Sequence, residues 1–183
     1  MRSLLDRGSD VNERYNLRAT ALDAASTYGH LEVAKLLIER GADVDSRDWD
    51  GCTPLISASG HGCLEVARLL LDHGADVNAQ MRNHDTALHF ASFTADFEMV
   101  RLLLERGANV DVRDANGQTP RQVAQRLGHR RVAELLLGFE ERGQVTVEVR
   151  SVVQVRFDCI TDIATVAMKA TRSHHWIFLF PIV

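Results

Sequence analysis

The chain has 183 residues, 45% of them apolar and 25% charged, with a formal net charge of −4. That balance fits a folded globular chain and is too mild to point to nucleic acid or a membrane surface as partner. No apolar run approaches the roughly 18 to 20 residues of a membrane helix, and the start, MRSLLDRGSD, has no apolar signal core.

A fixed period organises the chain from its first residues. Gly8, Gly41, Gly74 and Gly107 stand 33 residues apart. Thr20, Thr53, Thr86 and Thr119 share that step, as do Leu36, Leu69, Leu102 and Leu135. Independent landmarks with one period indicate a repeat array. Residues 1–14 supply only the end of a unit. Units then follow at 15–47, 48–80, 81–113 and 114–141, the last without its turn. A start inside a repeat reads as a piece of a longer protein.

Each unit opens on a threonine placed to cap a helix, with Pro54 or Pro120 at the first helical position and Ala21 or Ala87 in the other two units. A short helix is expected from Thr53 to about Gly62. LEVARLLLDHG predicts a second helix with Leu64, Val66, Ala67, Leu69, Leu70 and Leu71 on one wide buried face, ending at Gly74. ADVNAQ begins an extended segment that closes in a tight turn, of the kind spelled by the Asp-Gly of RDWDGCTP.

The stretch DGCTPLISASGHGCLEVARLLLDHGADVNA resembles the ankyrin repeat over its whole length, and the resemblance covers residues 1 to about 141. It implies an all-α solenoid: helix pairs stacked side by side into a curved slab, with hairpin-like turns projecting at one edge. Two departures stand out. The turn glycine, present at Gly51 and Gly117, becomes Arg18 and His84. A side chain forced to positive φ there costs on the order of 1 kcal/mol, so those turns are strained or differently shaped. The histidine of the family's helix start survives only as His89, with Asp23, Ile56 and Gln122 elsewhere, which is expected to weaken the hydrogen bonding there.

Beyond Gly143 the period stops. VTVEVRSVVQVRF alternates, with Val145, Val147, Val149, Val153, Val155 and Phe157 on one face, and CITDIATVAMKA reads as a short helix. Residues 142–183 are a strand-rich appendage or a tail that does not fold; two strands rarely stand alone, which favours the second.

Motifs for chemistry are weak. Asp45, Asp48 and Asp50 precede Gly51, but Ser46 and Ser57 fall where a calcium loop needs carboxylates, so Asp48 and Asp114 are read as turn acceptors. SGHGC lacks a glycine of the dinucleotide fingerprint and a preceding strand. His61, Cys52 and Cys63 fall short of a four-ligand zinc set. Arg126, His129, Arg130 and Arg131 read as a solvated helix end. No nucleophile signature occurs. Neither an enzyme, a cofactor nor a metal is expected.

A binding surface is the better reading. In the ankyrin family, partners usually meet the turn tips and the exposed side of the first helix. Carried over by register, this surface comprises Arg14, Leu17, Tyr28, Arg47, Trp49, Asp50, His61, Arg82, Asn83, Phe93, Arg113 and Asn116. Tyr28, Trp49 and Phe93 are large aromatics the fold does not need, and Arg14, Arg47 and Arg113 share one turn position. Aromatics flanked by arginines are the usual make-up of interface hot spots. The expected function is a non-catalytic, monomeric scaffold that holds an acidic or aromatic-bearing protein segment, without nucleic acid or membrane. The alternative is the targeting arm of a larger enzyme or ubiquitin-ligase adaptor. Asn12 and Asn78 match a turn asparagine that is hydroxylated in some ankyrin proteins. Three sparse cysteines, Cys52, Cys63 and Cys159, fit a reducing compartment, cytoplasmic or nuclear.

Overall fold

Four helix pairs follow one another in the computed structural model, which describes residues 10–141. They are α1 (Ala21–Thr27) with α2 (Leu31–Glu39), α3 (Pro54–Gly60) with α4 (Leu64–Asp72), and α5 (Ala87–Phe93) with α6 (Phe97–Glu105). The last pair is α7 (Pro120–Arg126) with a helical run over 130–141, α8. No strand occurs among the described residues, only an isolated bridge between Gln80 and Thr86. The expectations for residues 142–183 lie outside the described residues, as do those for residues 1–9.

The first helices α1, α3, α5 and α7 pack in a row, and α2, α4 and α6 form a second row behind them. The packing follows the sequence period. Leu37, Leu70, Leu103 and Leu136 are each fully buried, as are Ala58, Ala91 and Ala124 on the first helices. Burying one such leucine contributes roughly 1.5–3 kcal/mol. Since each unit buries its face against its neighbours, the array's stability is nearly a sum of interfaces.

The helix starts retain more hydrogen bonding than the sequence suggests. Asp23 and Gln122 both complete reciprocal capping boxes with Thr20 and Thr119, so their replacement of histidine does not weaken the start. Each offers a side-chain oxygen to the threonine's N–H, which is what the motif requires. Ile56 alone cannot, and there only Thr53 Oγ1 accepts, from the Ile56 N–H at 3.4 Å. At His89, Nδ1 faces the Thr86 N–H at 3.3 Å while Nε2 lies 3.1 Å from the Gln118 carbonyl oxygen. One imidazole thus ties a helix start to the next turn.

The turns without glycine keep the glycine conformation. Arg18 and His84 both have φ of 64°, beside 79° at Gly51 and 75° at Gly117. The His84 turn is therefore strained rather than reshaped, while the Arg18 turn is both, since Leu17 before it also has positive φ, at 58°.

Candidate functional site

Successive turns are joined edge to edge by main-chain bonds. The N–H groups of Trp49, Arg82 and Ala115 donate to the carbonyls of Leu17, Asp50 and Asn83, each at 2.9 Å. Within a turn, Asp48 Oδ1 accepts from the N–H of Asp50 and Cys52, and Asp114 Oδ1 accepts from Asn116 and Gln118. Against the opposing effect of burial, those main-chain donors and the Asn116 amide hold the Asp114 carboxyl below its usual range. Asparagine adds a further stitch. Asn12 donates to the Gly41 carbonyl and accepts from the Asp43 N–H; Asn78 does the same with Gly107 and Asn109.

This scaffold leaves all twelve sequence-selected residues exposed, although not all are unengaged. Arg14 Nη1 donates to the Arg47 carbonyl at 2.9 Å, and Arg47 Nη1 donates to the Gln80 carbonyl at 2.8 Å. Both bonds span 33 residues, one repeat. Arg113 Nη1 turns back onto the Gly117 carbonyl of its own turn. The shared turn position of these arginines therefore has a structural reason, and Arg47 is not the free side chain that the sequence suggests. Trp49 and Asp50 have committed main chains but outward side chains. Trp49 is 56% exposed, and the Arg82 guanidinium lies over its ring, 5.4 Å from the centroid.

Several of the twelve residues line separate grooves. Arg14, Arg47 and Arg82 line a groove of about 390 Å³ across successive turns, joined there by Arg18. Phe93 and Asn116 line a second groove of about 250 Å³, with Asp85, Asp114 and Arg126 at its walls. Tyr28 borders a third, about 510 Å³, with Tyr15, Ala24 and Val33 on the face of α1 and α2. His61 turns its Nδ1 onto the Ser57 carbonyl at 2.9 Å. Leu17 stands out at 76% exposed with φ of 58°. Sequence register assigned Arg18 only to turn geometry; its place in the arginine groove depends on where the following turns come to lie.

The remaining candidates for chemistry are dispersed. Burial first, with nearby carboxylates adding, pushes the Cys52 thiol up to about 11 despite its contact with Ser57 Oγ. Cys63 Sγ faces the Thr27 carbonyl at 3.7 Å. Among the described residues no group of His, Cys, Asp or Glu converges as a metal site would require. Arg130 pairs with Glu134, and Arg131 lies 4.9 Å from the Phe97 ring centroid, so the basic helix end is held by local partners.

The family model for ankyrin repeats, written as three copies, matches residues 1–81 and 78–148. No curated protein matches the chain.

Proposed function

Because the chain belongs to the ankyrin-repeat family, we propose that it is a non-catalytic scaffold or adaptor that binds a protein segment along its turn tips and first helices. Ankyrin repeats generally mediate protein–protein interaction. The observation that carries the reading is Trp49, a large residue more than half exposed on a turn whose main-chain N–H groups are all bonded. The fold does not need that ring, while an interface would use it as an anchor. Phe93, 57% exposed beside its own groove, supports a second anchor.

The free thiols of Cys52 and Cys63 support a reducing compartment, cytoplasmic or nuclear. No described helix is long and apolar enough to cross a membrane.

The test compares capture of a cross-linked, identified partner by the wild type and by Trp49→Ala with Phe93→Ala. Loss of capture with an unchanged melting temperature supports the reading. Full capture by the double variant would sink it. Arg47→Glu is unsuited to this test, because it also removes the bond to Gln80.

A further inference from the structure

Four guanidinium groups, from Arg14, Arg18, Arg47 and Arg82, line one groove of about 390 Å³. Among the described residues none of the four lies within ion-pair distance of a carboxylate. The groove's one acid, Asp48, already accepts two main-chain N–H groups at 2.9 and 2.8 Å. Four cationic side chains thus share the groove with one lining carboxylate, and an anionic ligand would offset the excess positive charge.

Three of these arginines are held in place. Arg14 and Arg47 each use Nη1 on a carbonyl of the next turn, which orders the side chain and leaves the other N–H donors of the fork available. Arg82 rests on the Trp49 ring. Between them Gly51, with no side chain, occupies the turn position that Arg18 and His84 fill in the adjoining turns.

We propose that this groove binds the phosphoryl group of a phosphoserine or phosphothreonine in a partner protein. The inference rests on the protein-scaffold reading above and names the chemistry of the segment bound. A phosphoryl group brings about −1.5 to −2 charge on one compact centre, whereas a carboxylate brings a single charge. Guanidinium forks meet its oxygens in bidentate pairs. Trp49, beside Arg82, offers an apolar seat to a neighbouring side chain of the same segment. A nucleic acid would need phosphate contacts spread along a basic surface, whereas this chain's net charge is −4 and four of its arginines line one compact groove.

The experiment probes the full chain on a degenerate peptide array with a fixed central phosphoserine, on the same array with serine, and with oligothymidylate. Binding confined to the phosphoserine array is expected. Arg18→Ala should weaken the best phosphopeptide by about tenfold with an unchanged melting temperature, since the Arg18 side chain holds no described contact. Arg18→Lys should recover part of the loss. Equal binding to both arrays, binding to neither, or oligothymidylate binding as tight as the best phosphopeptide would overturn the inference. If serine peptides bind equally and Trp49→Ala with Phe93→Ala abolishes that binding, the phosphoryl inference fails and the scaffold reading stands. Phosphopeptide binding indifferent to both aromatics but lost in Arg18→Ala would support the groove and remove the aromatic anchors.

Discussion

The Asn78 side-chain amide donates to the Gly107 carbonyl at 3.3 Å, while its oxygen accepts from the Asn109 N–H at 2.8 Å. Asn12 makes the same pair of bonds two repeats earlier in the array, to Gly41 and Asp43. Between them, at the equivalent position, stands Asp45, whose Oδ1 accepts from the Asp76 N–H at 2.9 Å. A carboxylate has no proton to give, so the Gly74 carbonyl lacks the matching donor. Asp45→Asn is expected to add that bond and stabilise the array by about 1 kcal/mol. Urea denaturation at neutral pH measures it, and an unchanged or lower midpoint would count against the assigned register.

The loop between paired helices contains a similar irregularity. Gly29, Gly62 and Gly128 hold φ of 69°, 68° and 77° at one repeat position, where the third pair has Ala95 at 59°. An alanine in the left-handed region is strained by its Cβ, by roughly 1–2 kcal/mol. Glycine removes the strain but adds freedom to the unfolded chain. The net expectation for Ala95→Gly is a gain of about 0.5–1 kcal/mol, read as a raised melting temperature. A fall would mean that the αL cost at Ala95 is smaller than the entropy added.

Asp23 gives the array a pH dependence. Burial raises its carboxyl pKa above the ordinary 3.8, although the Thr20 N–H and hydroxyl pull the other way. Its Oδ1 is buried without a partner. The folded chain therefore holds this proton to higher pH than the unfolded chain does. Asp23's contribution to stability falls as pH rises from about 3.8 through the raised folded value. Asp23→Asn can still accept from Thr20 and should flatten that slope in melts taken across acid to neutral pH. An unaltered slope would assign the pH dependence to other groups.

Cys52 should be an unreactive thiol. With its pKa pushed up to about 11, it carries little thiolate at neutral pH. Iodoacetamide should label it slowly in the folded chain and readily after denaturation, as followed by peptide mass spectrometry. Equally fast labelling in both states would show that the thiol is more open than its surroundings imply.

Helix existence, helix order and the buried leucine row were legible in the sequence because they are local or periodic. A threonine cap and a proline at the first turn act within a few residues, and a repeated leucine needs only the period to find its neighbour. The candidate surface was legible in part. Exposure of Trp49, Tyr28 and Phe93 follows from their being unnecessary to stacking. The bonds of Arg14 and Arg47 do not, because their acceptors lie one repeat away and become neighbours only when the turns align.

The sequence by itself thus determined an ankyrin array and the turn positions open to a partner. Only the tertiary structure decided which open positions share a groove. Arg18 lines one groove with Arg14, Arg47 and Arg82, and Phe93 and Asn116 line another. The reason is physical: a repeat's spacing sets which residues are equivalent, but contact between non-equivalent side chains depends on how each turn lies against the next.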